Sequence, residues 1–304
     1  MTIYFLSLYI YYTQHIMDFK MRFLSFSKNG IHGIAVRDEK GIKGLLENAA
    51  NYPGDLLTLI QKGAEALEQA FQVLNAADYL VESELEILSP IAQPPKIICV
   101  GLNYADHTSE SPYEQPDYPT LFPRFSSSLI GHQQHILKPQ CSDQLDFEGE
   151  LAVIIGKTGK HIQKDQALDY VMGYSVFNDG SIRDYQFKSP QWTVGKNFDA
   201  TGAFGPDLVT ADEIPAGAKG LLLTTRLNGE VVQQANTDDM IFDIETLIST
   251  ISEAITLEAG DVIVTGTPAG IGFARKPQLF MKHGDVCEVE IEKVGLLSNP
   301  IVNE

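Results

Sequence analysis

Three things are scarce in this chain of 304 residues, and each scarcity closes off a class of protein. Cysteine is the first: Cys99, Cys141 and Cys287 are few, scattered and odd in number. That excludes a disulfide framework and suits a reducing compartment, so a cytoplasmic location is expected. Positive charge is the second, with 22 Lys and Arg against 40 Asp and Glu and a formal net charge of −18. A surface that tracks phosphates is therefore not expected, and nucleic acid is excluded as a partner. The third is membrane-spanning sequence. The N-terminal apolar run from Ile3 to Tyr12 is too short to cross a bilayer, no positive residue precedes it and no small-residue cleavage site follows it. Internal repeats, low-complexity tracts and heptads are missing as well.

What is present is a globular composition, 44% hydrophobic and 20% charged, enough to build one large domain or a medium and a small one. Met17 and Met21 offer alternative starts, and residues 1–20 read as a non-essential extension. Residues 21–90 read as a small N-terminal α/β domain. There MRFLSF and IHGIAV flank Asn29-Gly30, whose tolerance of positive φ predicts a tight hairpin. Leu56, Leu59, Ile60, Leu67, Phe71 and Leu74 then fall on one face of a helix with Asp55 as N-cap. Three prolines within residues 88–96 mark a boundary. Beyond it, residues 97–304 carry short β-branched runs, KIICVG, HILK, LAVIIG, GYSVFND, LLLTTRLNG, DVIVTGT and CEVEIEKVG, and one helix with Ile244, Leu247, Ile248, Ile251 and Ile255 after Asp243. The fold class is α+β and β-rich.

The chemistry begins at LDFEGELAVIIG, residues 145–156, where Asp146, Glu148 and Glu150 alternate at the mouth of a buried run. Alternate positions of a strand face the same way, so the three acids are expected to share a face. Two carboxylates about 4 Å apart repel by roughly 4 kcal/mol at an effective dielectric near 20. A divalent cation, a cluster of Arg or Lys, or a shared proton would offset that repulsion. A second buried strand ends in another acid, Asp179, with Arg183 and Asp184 in the following turn. Oxygen donors without Cys or paired His suit Mg²⁺, Mn²⁺ or Ca²⁺ rather than zinc, while a solvated edge strand with surface ion pairs is the plain alternative.

Five ordered stretches, VGLNYADHTSE, DFEGELAVIIG, FNDGSIRDYQ, QWTVGKNFD and DVIVTGTPAGIG, give residues 97–301 a close resemblance to the fumarylacetoacetate hydrolase family. The resemblance implies a rolled, distorted β-sandwich behind a small N-terminal α/β domain, and a homodimer. It places divalent-metal ligands at Glu148, Glu150 and Asp179, and leaves Asp146 as an ion-pairing group behind them. His107 and Glu110, three residues apart, resemble the family's pair for activating water. Lys196 matches a lysine that stabilises an enolate. Arg183 and Gln186 match positions that hold a substrate's carboxylate and carbonyl, and Thr267 lies in a turn resembling the family's carboxylate-binding turn. Residues 111–119 read as a mobile loop that closes over ligand.

This resemblance implies a metal-dependent hydrolase that cleaves a C–C bond of an acylpyruvate-like or fumarylacetoacetate-like oxo acid. The alternative is a decarboxylase or isomerase of a 2-oxo dicarboxylate, and a third reading is an idle metal-binding homologue. Some family positions differ: Leu102 stands where some members carry arginine, Gly180 and Ile182 replace a common Val and Ala, and Arg124 replaces a frequent lysine. Two further motifs are discarded. Gly156-Lys157-Thr158 resembles the end of a phosphate loop, but Leu151 stands where that loop needs glycine. His132 and His135 have metal-like spacing without an accompanying acid or Cys, and read as a surface turn.

Overall fold

The computed structural model describes residues 21–106 and 117–304. The 1–20 extension, His107, Glu110 and residues 111–116 of the expected loop lie outside the described residues.

Strands Arg22–Lys28 and Ile31–Asp38 pair antiparallel up to Lys28 opposite Ile31, around Asn29 at φ 54° and Gly30 at φ 79°. Two successive positive φ values match the turn to the strand twist, as the Asn-Gly signal predicts. The expected single helix is two, Leu56–Lys62 and Ala64–Asn75. Gly63 separates them at φ 95° and ψ −179°, a conformation open to a residue without Cβ. The break keeps the apolar phase, so Leu56, Leu59 and Ile60 on one piece and Leu67 and Leu74 on the other are all buried. Periodicity does not register such a break. Asp55 caps the first piece, accepting from the Thr58 N–H at 3.0 Å and the Thr58 hydroxyl at 2.6 Å. Asp55→Ala is expected to cost about 1 kcal/mol in urea denaturation; an unchanged midpoint would show that the cap contributes nothing.

The larger sheet runs in the order Tyr79–Leu80, Gly41–Leu46, Ile31–Asp38, Arg22–Lys28, Gly202–Thr210, Val171–Asp179, Gly149–Ile155, Val262–Val264, Ile97–Gly101, Thr120–Pro123. Arg22 pairs with Val209 and Phe23 with Leu208, so the proline-rich stretch 88–96 joins two parts of one sheet. The core beneath it mixes Phe23, Leu59 and Leu67 with Cys99, Ile154 and Phe204.

A five-stranded sheet, Glu230–Asn236, Leu222–Leu227, Val286–Ile291, Gly295–Asn303 and Ile136–Lys138, packs against the first. Leu151, Val153 and Val176 from one sheet meet Leu223, Val289 and Leu297 from the other. The architecture is the β-rich, distorted sandwich of the expected α+β class. Helix Ile244–Ala254 adds Ile244, Leu247, Ile248 and Ile251 to this core, with Asp243 capping the Thr246 N–H at 2.8 Å. Ile255, expected on the same face, is the C-cap and is exposed.

Strand Gly202–Thr210 is wholly buried at the centre of the larger sheet, yet its sequence, GAFGPDLVT, has little strand character. Its pairing with the neighbouring strand steps irregularly, from Tyr174 opposite Val209 to Val176 opposite Gly205. Pro206 lies inside that irregular stretch, a setting that tolerates a missing N–H. All three cysteines are free. Among the described residues no helix is long and apolar enough to cross a membrane.

Candidate metal centre

Adjacent antiparallel strands bring the acids together. Asp179 ends Val171–Asp179, Glu150 is second in Gly149–Ile155, and Gly149 pairs with Asn178. Glu148 sits just before its strand, and its carbonyl accepts from the Asp179 N–H at 2.9 Å. All three carboxylates are buried, and each offers an oxygen within 4.8 Å of the others. No other His, Cys, Asp and Glu group of this kind occurs among the described residues.

Asp146 departs from the expected shared face. Leu145–Asp146 pairs with Ser181–Ile182 in a separate two-stranded ribbon, so the chain breaks between it and the strand carrying Glu150. Alternate residues share a face only along one unbroken strand. Asp146 instead accepts from the N–H groups of Phe147, Gly272 and Phe273 at 2.8–2.9 Å and from Arg183 Nε at 2.8 Å.

Three buried cations face the acids. Lys196 Nζ lies 2.7 Å from both Glu148 and Asp179, over the Phe122 ring. Burial pushes its ammonium down, and Asp179 and Glu148 more than reverse that, leaving it above its ordinary value. Gly195 lets this segment approach the turn before it: a Cβ there would lie 2.3 Å from the Gln186 nitrogen. Arg183, on the short helix Arg183–Gln186, reaches Asp146, Glu148 at 2.6 Å and the Gln186 side-chain Oε1 at 2.8 Å. Both Arg183 and Gln186 are buried, and Arg183 Nη2 has no hydrogen-bond partner among the described residues.

Arg124, a departure from the family pattern, is the third cation. It pairs with Asp179 and donates to the Thr201 hydroxyl at 2.7 Å and the Gly180 carbonyl at 3.3 Å. A Cβ at Gly180 would lie 2.4 Å from the Thr201 carbonyl, so the substitutions at 124 and 180 sit on the same structural spot. A lone arginine after LFP carries no signal of a partner 55 residues away.

Four carboxylates, Asp146, Glu148, Glu150 and Asp179, thus face three cations. Glu150 has no ion pair among the described residues; its donor is the Gly266 N–H at 2.5 Å. Burial, then repulsion from Asp179 and Glu148, hold its carboxyl well above the ordinary carboxylate range. The cation cluster therefore offsets the crowding only in part: it pairs Asp146, Glu148 and Asp179 and leaves out Glu150, where three hard oxygen donors converge. That donor set fits a divalent ion of the Mg²⁺, Mn²⁺ or Ca²⁺ type.

Thr267 is buried against this strand, its hydroxyl donating to the Gly149 carbonyl at 3.0 Å. The discarded motifs lie elsewhere: His132 Nδ1 accepts from the Ser298 N–H, His135 is exposed, and Gly156–Thr158 follows the strand end in a loop.

The family described as Fumarylacetoacetate (FAA) hydrolase C-terminal matches residues 96–302. A mitochondrial oxaloacetate tautomerase of Rattus norvegicus is 40% identical over 288 residues, 93% of this chain and 92% of that protein. A solved fumarylacetoacetate hydrolase from psychrophilic Exiguobacterium antarcticum is 36% identical with a TM-score of 0.81, covering 93% of this chain and 100% of the other. The 5-carboxymethyl-2-hydroxymuconate delta-isomerase of Mycobacterium smegmatis is 29% identical with a TM-score of 0.73, covering 93% and 99%.

Proposed function

The chain belongs to the fumarylacetoacetate hydrolase family, and on that premise we propose that it acts on a small 2-oxo dicarboxylate of the oxaloacetate type, by tautomerisation or isomerisation. Hydrolysis of a C–C bond, the first reading of the sequence, gives way to its alternative. The observation that supports this is the near full-length likeness to an oxaloacetate tautomerase, joined here to a buried carboxylate trio beside a lysine.

An ion held by Glu148, Glu150 and Asp179 would supply Lewis-acid polarisation of the 2-oxo oxygen. Arg183, whose buried Nη2 has no partner among the described residues, and Gln186 hold the substrate's carboxylate and carbonyl in this reading. Tautomerisation takes a proton from the carbon next to the carbonyl and returns one to oxygen. Lys196 faces the negative charge that builds on that oxygen. His107, oriented by Glu110, is the proposed base for the carbon proton. Thr267 is retained in the substrate pocket as a neighbour of the metal strand rather than as a free hydroxyl donor. A homodimer belongs to the same proposal, and light scattering at twice the chain mass is the expected result.

The test follows oxaloacetate enol absorbance with Mg²⁺ or Mn²⁺. Enzyme-dependent acceleration of its decay, lost in Lys196→Met, is the expected result. Acetylpyruvate cleavage without any effect on oxaloacetate would restore the hydrolase reading. Turnover of neither would favour the idle homologue.

A further inference from the structure

Strand Glu230–Asn236 contains a bulge: Gln233 lies opposite Thr225, but Val231 lies opposite Arg226, leaving Val232 as the extra residue. In a regular strand Val232 and Gln233 would face opposite ways; here both are buried, Gln233 at 2% exposure. Bulges of this kind re-aim a side chain, often beside a functional site. The redirected amide crosses from the five-stranded sheet to the strand that carries the acids.

There it closes a ring of hydrogen bonds. The Gly149 N–H donates to Gln233 Oε1 at 3.0 Å, Gln233 Nε2 donates to the Thr267 hydroxyl at 2.8 Å, and that hydroxyl donates to the Gly149 carbonyl at 3.0 Å. Nε2 also donates to the Pro268 carbonyl at 2.9 Å. Only one orientation of the amide satisfies an N–H on one side and a carbonyl on the other, so the direction of every bond is fixed. Gly149 is the residue between Glu148 and Glu150, and Gly266, next to Thr267, donates to Glu150. The ring therefore holds both polar groups of the residue that sets the spacing of two carboxylates.

We infer that Gln233 is a positioning residue of the metal centre, acting through Gly149 and Thr267 on the separation of Glu148 and Glu150. This rests on the metal reading above. An amide that merely filled the core would affect stability and leave ion affinity alone.

Calorimetric titration of the full chain with Mn²⁺ tests it, alongside the melting temperature of the metal-free protein. Gln233→Met and Thr267→Val are each expected to weaken Mn²⁺ binding by roughly tenfold to a hundredfold, the range for groups that orient ligands. The double variant is expected to be little weaker than the worse single one, because the first change already opens the ring. Thr267→Ser keeps the hydroxyl and is expected to keep wild-type affinity. A folded Gln233→Met that binds Mn²⁺ like wild type, or two losses that add in full, would overturn the inference. Should Gln233→Met not fold, the Thr267 pair decides: weak binding in the Val variant alone supports the ring, and equal binding in both overturns it. Wild-type protein that binds no Mn²⁺ overturns the metal reading and this inference together, whereas binding wild type with unaltered variants sinks the inference alone.

Discussion

Glu150→Gln is expected to stabilise the metal-free protein by about 2 kcal/mol while destroying its affinity for a divalent ion. Glu150 is 2% exposed, has no ion pair among the described residues and faces two other carboxylates. A buried acceptor that lacks its full set of partners costs on the order of 1–3 kcal/mol, and more when it is charged, and a neutral amide of the same shape removes the part that depends on charge. The Gln oxygen would still accept from Gly266, and its amide protons would meet Glu148 and Asp179 instead of repelling them. Because the folded carboxyl lies above its ordinary value of 4.5, the folded state holds the proton longer, and wild-type stability falls as pH rises from there through the folded value. The variant lacks this fall, so its advantage should widen between pH 5 and pH 8 in urea denaturation with chelator present. In the presence of Mn²⁺ the order reverses, since one of three charged donors is gone. The loss of affinity is expected to exceed the roughly 100-fold typical of groups behind the ligands. A variant that bound Mn²⁺ normally, or that was less stable than wild type without metal, would remove Glu150 from the centre.

The contrast between Glu150 and its neighbours shows how far the sequence could be read. The hairpin at Asn29-Gly30 and the capped helix after Asp243 were legible, because each is written in residues close in the chain, whereas the meeting of Glu150 with Asp179 followed from the family resemblance and not from local spacing. The break at Gly63 was not, since it preserves the apolar phase, and neither was the buried strand Gly202–Thr210, whose glycines and proline are tolerated by irregular pairing with its neighbour. Within the site, spacing put Asp146, Glu148 and Glu150 on one face, but their assignment to one continuous strand was wrong for Asp146, and the choice of Glu148, Glu150 and Asp179 as ligands rested on the family resemblance. The partners were harder. Arg124 meets Asp179 from 55 residues away, and Gln233 meets Gly149 from 84. Pairings of that kind are set by sheet order and by a bulge, neither of which has a local signature.

Arg183→Met is expected to cost about 3–5 kcal/mol, the typical penalty for removing one partner of a buried ion pair. Arg183 is 2% exposed and joins Asp146, which is 0% exposed, to Glu148. Methionine fills much of the volume, so the loss is electrostatic rather than a cavity. The two acids would not suffer equally. Glu148 keeps Lys196 at 2.7 Å, whereas among the described residues Asp146 keeps only backbone donors, from Phe147, Gly272 and Phe273. Most of the penalty therefore falls on Asp146, whose hydrogen bonds tie the chain at 272–273 to the site. Two further variants separate this account from general disruption. Arg183→Lys should recover only part of the loss, because a single ammonium cannot reproduce a planar fork that reaches Asp146, Glu148 and Gln186 at once. Arg183→Met combined with Asp146→Asn should be more stable than Arg183→Met by itself, since the stranded charge has been removed and the amide oxygen still accepts from Gly272. If the single variant lost less than about 1 kcal/mol in urea denaturation, the range of an exposed pair, Asp146 and Arg183 would not be the electrostatic support of the carboxylate trio.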